Sequence, residues 1–272
     1  MRNIGEWDAT AYARFGDERT RPLIDLLARV GSEDPALVAD LGCGNGPATL
    51  VLAERWRRAR LVGVDSSGSM LAAARELDAQ ARVEWLQADL REWDPASLEQ
   101  SIDVIVSNAT LQWIPNHLAL LDRWVSSLAD EGWLALQVPG NFDAPSHALM
   151  RKAAATQPRA DELLEAIEVP QVGEPATYVR YLSRLGCQVD AWETTYTHVL
   201  PAADRHPVLT WVSSTGLRPL LALLTEEDER ASFLAAYEDR LAEAYPVTAE
   251  GVLFPFRRVF AVAQRSVSAS PA

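Results

Sequence analysis

An α/β protein built on a seven-strand sheet, mostly parallel with one antiparallel strand, is what three features of the sequence predict. Short apolar runs alternate with helical patterns between Leu37 and Pro139, the mark of βαβ units joined by right-handed crossovers. A glycine-rich turn, Gly42, Gly44 and Gly46, follows the first of these runs and opens into a helix. Two longer alternating segments, rich in Thr, Tyr, Val and Phe, come late in the chain and suit the last two strands.

The elements follow in order. Residues 1–34 hold a helix that Thr20 caps and whose first turn Pro22 suits, with Leu23, Ile24, Leu26, Leu27 and Val30 on one stripe. Residues 36–40 are a buried strand, 47–57 a helix, 60–65 a strand and 67–78 a helix. Strands follow at 83–87, 102–107 and 133–138, with a helix over 116–129 before the last. Residues 141–172 read as helical, broken by Pro145, Pro158 and Pro170, and 175–185 as a helix that Gly186 ends. The final strands are 188–199 and 251–263, an antiparallel pair interrupted by a helical block over 207–245. The whole reads as a single domain over 1–265 with a flexible polar tail at 266–272.

Composition removes several functions. The formal net charge is −13, and a nucleic-acid binder needs a basic face to neutralise phosphates. No run of eighteen apolar residues exists, and the opening MRNIGEWDAT carries no leader-like apolar core, so no membrane partner and a cytoplasmic location are expected. Cys43 and Cys187 form neither a disulfide framework nor a metal-ligand spacing, and no metal site is expected.

The residues that carry chemistry begin with VADLGCGNGPAT, Val38 to Thr49. Its glycines allow positive φ and close approach of a ligand to the backbone. Pro47 stands where a dinucleotide fingerprint wants its third glycine, and no Gly-Lys-Ser/Thr follows for a P-loop. Asp65, Asp89 and Asn108 end or follow the next three strands, at the sheet edge where open α/β folds bind ligands. Either aspartate alone also reads as a helix cap. Their regular placement points to a nucleoside cofactor, with one acid for ribose hydroxyls and one for an adenine amino group.

This constellation resembles the class I S-adenosylmethionine-dependent methyltransferases, which have a Rossmann-like sheet. The resemblance implies that Asp40, Gly42, Gly44 and Gly46 cradle the methionine part of S-adenosyl-L-methionine. It implies that Asp65 holds the ribose, Ser66 and Met70 border the adenosine, Asp89 and Leu90 bind adenine, and Asn108 and Ala109 lie beside the methyl donor. A narrower resemblance, to the trans-aconitate 2-methyltransferases, rests on WDATAYARFGDERTRPLIDLLARV, SNATLQWIPNH, CQVDAWETTYTHVLP, WVSSTGLRPLL and LFPFRRVFAVAQR. It implies methylation of a carboxylate of trans-aconitate, with residues 1–34 as a lid, 36–140 as the cofactor core, and 141–172 with 205–246 as a substrate cap.

Carboxylate methylation joins an anionic oxygen to a cationic sulfonium, so a dry, well-oriented site promotes it and no general base is expected. A small anionic acid approaching so acidic a protein needs a local cationic pocket, and arginine meets carboxylates bidentately. Candidates are Arg14, Arg19, Arg21, Arg205 with His206, Arg218, Arg257 and Arg258. Arg218 and one of Arg257 or Arg258 stand out because they fall in the matching segments near the last two strands. Arg19 suits the carboxylate of the cofactor's methionine. Trp113 is a candidate for the pocket wall, with core packing its plain alternative; Tyr12 and Phe15 suit a lid over the cofactor, and Trp211 starts the insertion that would cap the substrate. Two other functions remain open at this point: methylation of another small or carrier-bound acid, and cofactor binding without catalysis.

Overall fold

A computed structural model describes residues 16–168 and 172–267. The chain runs α1 (Gly16–Leu27), β1 (Leu37–Leu41), α2 (Pro47–Arg55), β2 (Arg60–Asp65), α3 (Gly68–Leu77), β3 (Val83–Gln87) and β4 (Ile102–Asn108). It continues through α4 (Leu118–Ser127), β5 (Leu128–Pro139), α5 (Pro145–Ala154), α6 (Ala160–Ala166), α7 (Pro175–Arg184) and β6 (Cys187–Leu200). The last elements are α8 (Pro207–Ser213), α9 (Arg218–Leu223), α10 (Glu227–Ala244), β7 (Val247–Thr248) and β8 (Gly251–Arg265). The strands stand in the order β3-β2-β1-β4-β5-β8-β6, with β7 paired to β8. β1 to β5 are parallel, and β8 runs antiparallel to β5 from Trp133↔Gln264 to Pro139↔Arg258.

Seven strands match the expected ones, and β7 is an addition. Its two residues pair with Val252 and Gly251, too short a stretch to show any alternation. Other differences are local. Thr20 does not cap α1, which already begins at Gly16 and contains Pro22. Pro145 starts α5 instead of breaking it, because the first turn of a helix has no use for the missing N–H. The helical stretch expected over 141–172 is two helices among the described residues, parted around Pro158 as expected, and the block over 207–245 is three.

The described residues fall into two compact units. One holds residues 17–139, 172–194 and 258–267. Its core is continuous apolar strand: all five residues of β1 are buried, as strands covered on both faces must be. α4 packs into the same core through Leu121 and Trp124, and α7 through Tyr178 and Leu182. Ser67 caps α3, its hydroxyl accepting the Met70 N–H at 3.3 Å.

The second unit holds residues 140–168 and 195–257. Phe233, Tyr237 and Leu241 of α10 meet Met150 and Ala153 of α5, Trp211 of α8 and Phe254 of β8 in its core. Polar ties fix this packing. The Tyr237 hydroxyl donates to Ser146 O at 2.8 Å, and Ser146 N–H donates to the Tyr245 hydroxyl at 3.0 Å.

Candidate active site

Strand order reverses between β1 and β4, with β2 and β3 on one flank and β5 on the other. Ligands of open α/β sheets bind outside the carboxyl ends of the strands at such a point. β1 ends there and turns through Gly42–Gly46 into α2, whose first residue is Pro47.

Gly42 has φ +84°, and a Cβ on it would lie 2.1 Å from Thr110 Cγ2 in the turn that follows β4. The two loops therefore touch, and only glycine permits it. Gly44 also has positive φ, +55°, but a Cβ there would meet nothing nearer than Met70 Cε at 3.5 Å. The N–H groups of Gly42 and Cys43 donate to Val64 O at 2.8 and 3.1 Å, anchoring the loop on β2.

Asp65 joins this loop to the next. Its Oδ2 accepts Gly44 N–H at 2.9 Å and its Oδ1 accepts Ser67 N–H at 2.8 Å. Burial pushes its carboxyl above the usual range, against the pull of these N–H groups. Each oxygen keeps a further lone pair for a ligand hydroxyl. Met70 is buried beside Gly44, and Ser66 is exposed.

Asp40 is buried beneath the loop, where Thr49 Oγ1 donates to its Oδ2 at 2.6 Å. Burial raises its pKa to about 6, the Thr49 hydrogen bond opposes that, and the charge of Asp65 adds to it. The folded protein therefore holds this proton more tightly than the unfolded chain, and stability falls as pH rises from the ordinary carboxyl range to about 6. Asp40→Asn should flatten that slope and raise stability near pH 7 by roughly 1–3 kcal/mol. Urea unfolding at intervals from acid to neutral pH checks this; the wild-type slope persisting in the variant would assign it to other groups.

Asp89 follows β3, next to Ala88, whose N–H donates to Asp65 O at 3.0 Å. Arg91 Nε lies 2.9 Å from Asp89 Oδ1, Arg91 Nη2 holds its Oδ2, and Oδ1 also accepts Arg91 N–H at 2.9 Å. The guanidinium keeps this carboxyl below its usual range. The pair is part-exposed and worth little, so adenine would meet a carboxylate that can exchange partners. Leu90 belongs to the core.

Around the ends of β4 and β5 the first unit keeps three buried amide atoms without a hydrogen-bond partner: Asn108 Oδ1, Gln112 Oε1 and Gln137 Nε2. Gln112 is held by its other end, Nε2 donating to Ala109 O at 2.6 Å. Ala109 has φ +55°, and its N–H donates to Gln137 O at 2.9 Å. Arg258 is buried and donates from Nη1 to Gln137 Oε1 at 3.0 Å, which turns the Gln137 Nε2 away from it. Buried polar atoms left unpaired cost about 1–3 kcal/mol each, and a polar ligand repays that cost. The glycine cradle, Asp65 and these amides together fit a nucleoside cofactor with a polar tail.

Sequence reasoning missed Gln112 and Gln137. A glutamine inside the apolar run LALQVPG was the available signal, because strands buried on both faces rarely keep one.

The other candidates are placed as follows. Trp113 is half-buried in the turn after β4. Trp211 is accounted for by core packing of the second unit, 1% exposed, stacked on His198 at 4.8 Å and edge-on to Phe254 at 5.7 Å. Arg218 begins α9 in that unit and is half-buried. Arg257, also in that unit, donates from Nη1 to Gly140 O at 3.1 Å. Tyr12, Phe15 and the side chain of Arg19 lie outside the described residues.

Residues 38–132 match the family model described as "Methyltransferase domain". The chain is 49% identical over 269 residues to a trans-aconitate 2-methyltransferase of Streptomyces avermitilis, covering 96% of this chain and 98% of that protein. It is 50% identical to a trans-aconitate 2-methyltransferase of Mycobacterium sp. (strain KMS), covering 95% and 99% of the two chains. Among solved structures, a putative methyltransferase from Bacillus halodurans superposes with a TM-score of 0.56 at 13% identity, over 91% of this chain and all of that one.

Proposed function

The chain belongs to the trans-aconitate 2-methyltransferases, and from that membership we propose that it methylates a carboxylate of trans-aconitate, yielding the monomethyl ester and S-adenosylhomocysteine. The observation that supports this best within the fold is the loop at the switch point, where Asp65 is tied to Gly44 and Ser67 beneath an open glycine backbone. S-adenosyl-L-methionine, when bound, supplies a methyl group activated on a cationic sulfonium.

The chain's own residues bind and orient. Gly42, Gly44 and Gly46 with Asp40 shape the cradle, Asp65 takes the ribose, and Ser66 and Met70 flank the adenosine. Asp89 and Leu90 serve the adenine, and Asn108 and Ala109 the region of the methyl group. The acceptor carboxylate is ionised near neutral pH, so no side chain has to remove a proton. What the acid does require is cationic recognition on a protein of net charge −13, for which we assign Arg218, Arg257 and Arg258. Trp113 belongs with Asn108 and Ala109 in the region of the methyl group. The reading places the enzyme in the cytoplasm, acting on a dissolved acid; among the described residues no helix is long and apolar enough to cross a membrane.

The test is methyl transfer from labelled S-adenosylmethionine to a panel of small mono-, di- and tricarboxylic acids. Trans-aconitate should be the best acceptor. Arg218→Ala should cut its kcat/KM by roughly 30-fold or more, with the affinity for S-adenosylhomocysteine unchanged. Transfer to none of these acids, or preference for a monoacid, would overturn the assignment.

A further inference from the structure

Asn141 follows β5 by two residues in the second unit, where it is 3% exposed and neither Nδ2 nor Oδ1 has a hydrogen-bond partner. Its backbone is engaged: its carbonyl accepts Ala144 N–H at 3.0 Å in the turn that leads into α5. The preceding residue is held twice by one arginine. Gly140 N–H donates to Arg257 O at 2.9 Å, and Arg257 Nη1 donates to Gly140 O at 3.1 Å. A buried primary amide with both ends unpaired is therefore fixed one residue from a point that a guanidinium grips.

Leaving such an amide unsatisfied is costly, and an apolar side chain of similar size would avoid the cost. The group makes sense where something else completes it. A carboxylate offers only acceptor oxygens and needs donors together with positive charge. The amide N–H and the nearby guanidinium supply both. The amide oxygen cannot bond an ionised carboxylate and is left for a bridging water.

We propose that Asn141, together with Arg257, recognises one carboxylate of the acceptor acid, the amide fixing its orientation and the arginine its charge. The inference rests on the function proposed above and names a specificity-determining residue for it. The side chain is a positioning group; it exchanges no proton with the acid.

The experiment titrates trans-aconitate into the full-length protein saturated with S-adenosylhomocysteine, by calorimetry, for the wild type, Asn141→Leu and Asn141→Asp. Steady-state kinetics and thermal melts run in parallel. Asn141→Leu should weaken acid binding by roughly 10- to 100-fold and raise KM far more than it lowers kcat. Asn141→Asp should weaken binding further, because it sets a second negative charge against the acid. Cofactor affinity should hold in both variants, and Asn141→Leu should not melt earlier than the wild type. A purely structural amide would give the opposite: an earlier melt in Asn141→Leu with acid affinity and KM within twofold of wild type, which would overturn the inference. Loss of S-adenosylhomocysteine binding in Asn141→Leu would overturn it too, placing the amide at the cofactor. Wild-type protein that binds no acid defeats the inference. Wild-type protein that binds trans-aconitate without methylating it defeats the proposed function and leaves the binding comparison to decide the role of Asn141.

Discussion

Gly42→Ala should destabilise the protein by roughly 2–5 kcal/mol and abolish measurable cofactor binding. The added Cβ would lie 2.1 Å from Thr110 Cγ2 and 2.2 Å from Thr110 Oγ1, and Thr110 is not free to withdraw. Its hydroxyl donates to Gly42 O at 3.2 Å and to Asn108 O at 3.3 Å, so the side chain is the contact between the loops after β1 and β4. The φ of +84° adds strain for any residue with a side chain. Gly44→Ala is the control. It meets comparable strain at φ +55° but only a flexible methionine methyl at 3.5 Å, so it should cost about 1 kcal/mol. Urea unfolding of both variants separates contact from strain. Equal losses would mean that backbone conformation dominates and that the loops have room to part.

Asp65→Ala should weaken S-adenosylhomocysteine by roughly 100-fold or more, the largest effect on ligand binding from any single side chain of the site. Two contributions add. The ribose loses charge-assisted hydrogen bonds, each worth about 1.5–3 kcal/mol. The Gly44 and Ser67 N–H groups lose the carboxylate that holds the two loops in register. Asp65→Asn keeps one acceptor oxygen for one of those groups and should fall between wild type and alanine. Calorimetry decides it: an unchanged affinity in Asp65→Ala would remove this residue from the site, and a preference for a nicotinamide dinucleotide would remove the cofactor assignment.

The glycine loop and Asp65 of the candidate site were legible in the sequence because they are local. A βα turn puts Asp40 and the three glycines within seven residues, and the carboxyl end of the next parallel strand puts Asp65 beside them. Strand ends in a parallel sheet share one edge, so residues far apart in the chain could be gathered by counting elements alone. The alternation of strand and helix through β5 followed from periodicity in the same way, and the error there was confined to an end, as with Thr20.

The surroundings of the remaining candidates were not legible, and the reason is physical. Asp89 carries the spacing of an adenine ligand, yet which partner it keeps is settled by Arg91 two residues on. Trp211 and Arg218 sit in one matching segment, but packing against His198 and Phe254 commits the first to a core and leaves the second at a helix start. Gln112, Gln137 and Asn141 look unremarkable as letters in a sequence. Their buried, unpaired amide atoms exist only once strands and turns from distant parts of the chain have closed around them. Periodicity and turn chemistry are properties of neighbouring residues, so the sequence by itself determined the sheet, its glycine loop and the acids at the strand ends. Whether a polar group is buried and satisfied is a property of everything packed against it, so the tertiary structure alone decided which amide atoms were buried without a partner.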